Sequence, residues 1–377
     1  MTAESPTETA MDPRSLCTSC LEPGAGPVCP LCGWRRGSPA ASPLYLPPGM
    51  VLHSGADTYL TGRVLGHGGF GITYLGYDPN LRKKVAIKEY FPSGLAVREG
   101  RVATVRAVSG KAKPDYESGL ERFLDEGRTV RKLRHHVNIV RVENLFPANG
   151  TAYLVMEYLD GVTLLDYLKR KGGRIGWETL MRVMMPALDA LREVHANSFL
   201  HRDISPDNIY LLRSGVVKVI DFGAARQAGQ PVSAIVKGGY TPLEQYQEHG
   251  RHGPWTDIYA AAATMYRALT GETPPPATSR AQRDTLRRPR ELGVDIDPLH
   301  EDALMQALRV DGRQRFQTVA AFQNALQAKS AAPLMPVPRV QAPAAPPQTP
   351  KWALPLAVAA MIAILLGWLE SLGYIRF

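Results

Sequence analysis

The stretch Gly66-His67-Gly68-Gly69-Phe70-Gly71 constrains the fold through what flanks it. YLTGRVL precedes it and ITYLGY follows, and both are rich in the β-branched and aromatic residues that favour strands. The chain must then double back as strand–turn–strand, where a dinucleotide-binding turn would run from strand into helix. In such a flap, glycine backbone N–H groups can approach phosphate oxygens closely, since no side chain stands between them. A GxGxxG alone is a weak signal, because a plain turn can produce it. The residues that accompany it must carry the argument.

Seventeen residues after Gly71 stands Lys88, in Val85-Ala86-Ile87-Lys88. Strand alternation puts Lys88 on one face with Ala86. A lone lysine is ordinarily a solvated charge, and a buried one needs a carboxylate partner. Helical spacing in LERFLDEGRTVRKLR supplies a candidate, with Glu126 on one face with Phe123 and Val130. Further on comes His201-Arg202-Asp203-Ile204-Ser205-Pro206-Asp207-Asn208, of the form HRDxxxxN, and eighteen residues past Asp203 stands Asp221-Phe222-Gly223.

Together and in this order, these motifs resemble the protein-kinase signature over about residues 57–329, and the wording GGFGITYLG…VAIKEYFP resembles a bacterial, eukaryotic-type (Hanks-type) serine/threonine kinase. The resemblance implies an α+β, two-lobed kinase fold with ATP between a β-rich N-lobe and a helical C-lobe. It implies that the loop Leu65, Gly66, His67, Gly68, Gly69, Phe70 and Gly71 covers the phosphates, and that Lys88, held by Glu126, binds the α- and β-phosphates. Val64 and Ala86 would cover adenine, with Tyr210 beneath it. Met156 stands at the gatekeeper position, and Glu157 to Leu159 form the hinge. Asp221 and Asn208 would hold Mg²⁺ (or Mn²⁺), and Asp203 would orient the acceptor hydroxyl or take its proton. Downstream, Glu244 of Pro242-Leu243-Glu244 is expected to pair with Arg315, and Asp257 to brace the catalytic loop.

Three positions depart from the family pattern. Thr73 replaces a valine, a near-isosteric change. Ser205 stands where such kinases usually carry a lysine that steadies the γ-phosphate. Lys237 stands three residues before Tyr240, where a threonine is usual. The hydroxyl and the ammonium look exchanged, and a lysine stem is long enough to deliver a point charge from either side. The alternative is that Ser205 marks weakened catalysis, as in a pseudokinase scaffold that binds nucleotide and partners without transfer. Between Gly223 and Tyr240, Ser233 is the one hydroxyl residue, and its phosphate could pair with Arg202. The five arginines from Arg280 to Arg290 read chiefly as a solvated face, with an acidic substrate or lipid headgroups as the alternative.

All four cysteines fall in one short stretch, Cys17-x2-Cys20-x8-Cys29-x2-Cys32. Two CxxC pairs can complete a tetrahedral thiolate shell, which suits structural Zn²⁺. A redox dithiol would be expected beside a βαβ unit instead. Residues 1–16 carry Glu4, Glu8 and Asp12 and no apolar core, so they read as a disordered N-terminus with no secretory leader. Residues 17–34 form the zinc-ribbon-like knuckle, 35–56 a Pro-rich spacer and 57–329 the kinase domain. Residues 330–350 form a Pro/Ala-rich linker, with seven prolines between 331 and 350.

The 18 residues 352–369, WALPLAVAAMIAILLGWL, carry no charge. As a helix they span about 27 Å, close to the hydrocarbon thickness of a bilayer. Trp352 and Trp368 stand at the ends, where interfacial rings are favoured. A single transmembrane helix is therefore expected, with 370–377 as a short outer tail. Because ATP is cytoplasmic, the kinase domain is expected to face the cytoplasm at a bacterial inner membrane. The net charge of +9 is small for 377 residues and does not argue for nucleic acid. Protein substrates, the bilayer, and self-association for trans-autophosphorylation are the expected partners.

Overall fold

A computed structural model of the chain describes residues 15–328, apart from 25, 100–101, 134, 223–225, 228–236 and 248; Arg226 and Gln227 are described in backbone only. The linker 330–350, the apolar stretch 352–369, the tail 370–377, Ser233 and most of 1–16 lie outside the described residues. Among the described residues, no helix is long and apolar enough to cross a membrane.

The N-lobe is built on six antiparallel strands: β1 (Val51–Ser54), β2 (Asp57–Gly68), β3 (Gly71–Asp78), β4 (Lys83–Tyr90), and the later β7 (Val142–Ala148) and β8 (Thr151–Glu157). Their order is β1-β2-β3-β4-β8-β7. The flap is the β2–β3 hairpin, closing at the pair Gly68↔Gly71. Ile72, Tyr74, Val85 and Ile87 are fully buried, so both strands after the flap have an apolar face to hold them. A small hairpin, β5 (Ala96–Arg98) with β6 (Val105–Ala107), is inserted before helix α1 (Lys113–Lys132). Pro114 opens α1, where its missing N–H costs nothing. Phe123, Glu126, Gly127 and Val130 form its buried face. A Cβ on Gly127 would lie 2.9 Å from the side chains of Leu145 and Leu154, so glycine lets the helix sit directly on β7 and β8.

Residues 35–50 do not hang free as a spacer. Leu46 is buried, and its N–H donates to the Tyr74 hydroxyl at 3.1 Å. The Thr61 hydroxyl donates to the Pro47 carbonyl at 2.9 Å. β1 also begins inside the stretch 35–56. Proline removes backbone donors, which argues against helix or ladder, but it leaves apolar side chains and carbonyls that can still dock.

In the C-lobe, β9 (Gly161–Thr163) leads into α2 (Leu164–Arg170) and α3 (Trp177–Ala196). β10 (Phe199–Leu200), β11 (Ile209–Leu212), β12 (Val217–Val219) and β13 (Arg226–Gln227) carry the loops of the cleft. The helices α4 (Pro254–Thr270), α5 (Ala277–Gln282), α6 (Pro298–Ala307) and α7 (Val319–Gln327) complete it. α4 is its axis: Ile258 to Ala263 are all buried, as expected of a helix packed on every side. It ends at Gly271, whose φ of 82° lets its N–H cap the Arg267 carbonyl.

The arginine-rich stretch divides: Arg283, Arg287 and Arg290 are exposed, as a solvated face would have them, whereas Arg280 and Arg288 are engaged within the lobe. Arg280 is buried and forks onto Asp284 at 2.9 Å, with the Tyr259 hydroxyl 3.2 Å away. Arg288 pairs with Glu301 at 2.8 Å and with Asp302. The acidic partners stand up to 14 residues away in sequence, which a charge count along the stretch itself cannot reveal.

Candidate functional site

The cleft is lined first by the flap. Added Cβ atoms at Gly66, Gly68 and Gly69 would meet nothing within 4 Å, so their backbone faces open space. At Gly71 a Cβ would lie 2.2 Å from the Glu89 carbonyl, and only glycine lets β3 approach β4 there. Leu65 and Phe70 are exposed on the flap. The His67 ring meets Tyr45 edge-on, with Nδ1 3.3 Å from its hydroxyl. The flap's tip is tied to the segment after β4: Phe91 N–H donates to the Phe70 carbonyl at 3.2 Å, and Ser93 N–H to the Gly69 carbonyl at 2.9 Å.

Lys88 sits on β4 opposite Thr73 and Leu154. Its ammonium lies 2.7 Å from Asp221 Oδ1 and 3.8 Å from Glu126 Oε1. Burial would pull its pKa down, but the charges of Asp221 and Glu126 outweigh that and hold it above the ordinary lysine value. A permanent cation is thus fixed beneath the flap.

Facing it, Asp203 and Asn208 close a tight loop. Asn208 Nδ2 donates to the Asp203 backbone carbonyl at 2.7 Å and to its carboxylate at 2.8 Å. This fixes the amide's orientation and leaves Asn208 Oδ1 as its acceptor. Burial pushes the Asp203 carboxyl up, and Lys237, whose Nζ is 3.0 Å away, opposes that shift. Lys237 also reaches the Ser205 hydroxyl at 3.1 Å.

The backbone around these groups is strained into place. Arg202 and Asp221 hold φ of 65° and 59°, left-handed values that cost a non-glycine residue about 1–3 kcal/mol. Asp257 offsets this by accepting the N–H groups of His201 at 2.9 Å and Arg202 at 2.7 Å. Burial raises the pKa of Asp257, but His195, 2.7 Å from its Oδ2, and these N–H groups hold it below the usual carboxylate range. The His201 ring accepts the Asp203 N–H at Nδ1 (3.3 Å), with Nε2 facing the Ile220 carbonyl (3.2 Å). Glu244 and Arg315 form the bidentate pair that the kinase resemblance implies, at 2.8 and 3.1 Å.

At the positions expected to meet adenine, Ala86 pairs with Met156 across β4 and β8. Val64, Met156 and Leu159 are half-buried beside the core, as is Tyr210, whose hydroxyl donates to the Gly161 carbonyl at 3.1 Å. The Glu157 side chain is turned into a structural link, accepting Lys218 Nζ at 2.6 Å and the Arg141 N–H at 2.7 Å. The sequence reading missed Lys218, and also the fully buried pair of Glu89 and Arg98, which receives the hydroxyls of Tyr74 and Tyr153 at 3.0 Å each. The one available signal was an arginine nine residues after Glu89, at a separation no local rule interprets.

The donor set fits a hard cation. The half-exposed Asp221 carboxylate and the Asn208 carbonyl oxygen are oxygen ligands of the kind Mg²⁺ takes.

A second centre stands at the N-terminal end of the described chain. The Sγ atoms of Cys17, Cys20, Cys29 and Cys32 all lie within 4.8 Å of one another. Cys17–Cys32 and Cys20–Cys29 are each 3.7 Å apart. Zn–S bonds of about 2.3 Å in a tetrahedron require S···S edges of about 3.8 Å, so the geometry fits zinc. The two knuckles repeat each other at a spacing of twelve residues. Cys17 and Cys29 N–H donate to the Glu22 and Trp34 carbonyls, both at 2.8 Å. Leu21 and Gly33, each four residues after the first cysteine of its knuckle, hold φ of 55° and 69°.

The unit is docked on the outside of the N-lobe. Leu16 and Leu21 cluster with Leu75 and Tyr77, with Leu60 and Tyr158 alongside. Arg63 N–H donates to the Ser19 carbonyl at 2.8 Å, and a Cβ on Gly62 would lie 2.7 Å from that oxygen.

A bilobal fold with a glycine flap, a carboxylate-held lysine and an Asp/Asn/Asp cluster defines a nucleotide-dependent phosphotransferase architecture. The protein kinase domain family matches residues 59–321, and the chain belongs to that family. It is 34% identical over 235 residues to tyrosine-protein kinase MasK of Myxococcus xanthus, covering 57% of this chain and 36% of that one. It is 30% identical over 281 residues to serine/threonine-protein kinase Pkn1 of the same organism, covering 70% and 37%. Among solved structures, the PpkA-294 apo form matches with a TM-score of 0.66 and 29% identity, over 75% of this chain and 99% of that one. The chain spans little more than a third of the length of these two curated relatives.

Proposed function

We propose that the chain is a serine/threonine protein kinase that transfers the γ-phosphate of ATP to protein hydroxyls and phosphorylates itself in trans. The observation that carries this reading is the convergence of Lys88, Asp221, Asn208 and Asp203 beneath an open glycine flap. Phosphoryl transfer asks little covalent work of a protein, so placed charge is the main contribution. Lys88 binds nucleotide phosphates, and Asp203 orients the acceptor hydroxyl and receives its proton. Asp221 and Asn208 would hold Mg²⁺, which when bound neutralises the phosphates. The complete set speaks against a scaffold without transfer.

The acceptor class is read from the names of relatives, which include a tyrosine kinase beside serine/threonine kinases. Membrane anchoring at the bacterial inner membrane is proposed on the uncharged stretch 352–369, with the kinase on the cytoplasmic side. Both are tested on the full chain given Mg-ATP. Phosphoserine and phosphothreonine are expected in the membrane fraction, and deletion of 352–369 is expected to move the activity to the soluble fraction. Phosphotyrosine alone would reassign the acceptor, and absence of any transfer would reject the reading.

Zinc at the cysteine centre is proposed as structural, since four thiolates leave no open position for chemistry. Metal analysis is expected to give one zinc per chain, and Cys29→Ser to lose it together with the stability of the docked unit. A metal-free wild-type protein that melts at the same temperature with and without a chelator would reject it.

A further inference from the structure

We propose that the ammonium serving the transferred phosphate is carried by Lys237, on the segment leading into the Pro242-Leu243-Glu244 turn, so that docking of this segment completes the catalytic charge set. The inference rests on the kinase reading above. Lys237 Nζ lies 3.0 Å from the Asp203 carboxylate and 3.1 Å from Ser205 Oγ. Among the described residues, it is the cation within ion-pair distance of Asp203. Ser205 is fully buried on the catalytic loop and offers only a short hydroxyl, so that loop itself places no ammonium at this corner. The Lys237 side chain remains one-third exposed, so it is not sealed off from a ligand beside Asp203.

What holds Lys237 in place is the fold of its own segment. Its N–H donates to the Thr241 hydroxyl at 2.9 Å, and its carbonyl accepts the N–H groups of Tyr240 and Thr241 at 3.0 and 3.1 Å. Gly239 turns at φ 83°, and a Cβ there would lie 2.4 Å from the Pro274 carbonyl, so the segment is pressed against the C-lobe. Gln245 Nε2 then donates to the Arg202 carbonyl at 3.1 Å, tying the following turn to the loop that carries Asp203. A cation built into the catalytic loop would be present whatever this segment does. A cation carried on the segment arrives with it. Catalytic competence and the docked state of the segment are therefore one event, and Thr241 is a positioning residue for it.

The experiment transplants the charge. Full-chain Lys237→Thr, Ser205→Lys/Lys237→Thr, and each of the wild type and the double variant with Thr241→Ala are compared for kcat and for KM of ATP. Thermal midpoints verify folding. Removing one positioned charge that acts in the transition state lowers kcat by about 10²–10³-fold. Lys237→Thr is expected to do so with KM changed only severalfold, and the double variant to recover to within about tenfold of wild type, as expected if only the position of the charge matters. Thr241→Ala is expected to lower kcat in the wild type but not in the double variant. A Lys237→Thr enzyme within threefold of wild type overturns the proposal, as does a double variant no better than the single one. Equal sensitivity of both backgrounds to Thr241→Ala overturns the delivery by the segment. An inactive but folded wild type would sink the kinase reading and this inference together, an outcome distinct from the others.

Discussion

Asp203→Asn is expected to lower phosphoryl transfer by about 10²–10⁴-fold, the usual contribution of a positioned acid–base group. The change is nearly isosteric. The asparagine carbonyl can still accept the Asn208 amide that now sits 2.8 Å from the carboxylate. What disappears is the negative charge that draws a hydroxyl proton and that pairs with Lys237 at 3.0 Å. Nucleotide affinity should change only severalfold, because Lys88 and Asp221 stand on separate elements and keep their 2.7 Å pairing. Steady-state assay beside nucleotide titration checks both halves. A variant that keeps its rate within threefold would remove Asp203 from the chemistry.

The second large effect is on stability. Arg315→Ala is expected to cost about 3–5 kcal/mol, the range for breaking a buried ion pair from one side. The Arg315 side chain is fully buried. Besides its fork onto Glu244, it donates to the carbonyls of Arg309 at 2.6 Å, Val310 at 2.8 Å and Trp255 at 3.1 Å. Its guanidinium also lies 4.7 Å from the Tyr259 ring centroid. Truncation leaves the Glu244 carboxylate with the Thr256 hydroxyl at 3.0 Å as its remaining side-chain partner, and three carbonyls each lose the guanidinium as a donor. Arg315→Lys keeps a charge but cannot fork, so it should fall between the two. Denaturant melts measure both, and a loss under about 1 kcal/mol for the alanine variant would contradict the argument.

The juxtaposition of Asp203 and Asn208 was legible because its spacing is local: HRDxxxxN sets them five residues apart, and the structure joins them by two hydrogen bonds. The face shared by Glu126, Phe123 and Val130 was legible for the same reason, since helix geometry repeats every three to four residues. What sequence could not show depends on long closures. Arg98 looks like any solvated arginine until the β5–β6 insertion folds it onto Glu89. Residues 35–50 look like a tether until Leu46 meets Tyr74. Arg288 looks like surface because its carboxylates come from α6, while Arg283, Arg287 and Arg290 are exposed as the charge run suggests. Proline content and charge counts describe a segment by itself, whereas burial is decided by what arrives opposite it.

The stitching of the flap has one more consequence. Its crest at Gly69 and Phe70 is hydrogen-bonded to Phe91 and Ser93, on the chain that continues directly from the strand bearing Lys88. A hairpin fastened at its apex cannot curl inward alone. Any clamping over a guest molecule must drag the 91–93 stretch along, so the roof of the cleft and its anchoring cation travel as a single lever.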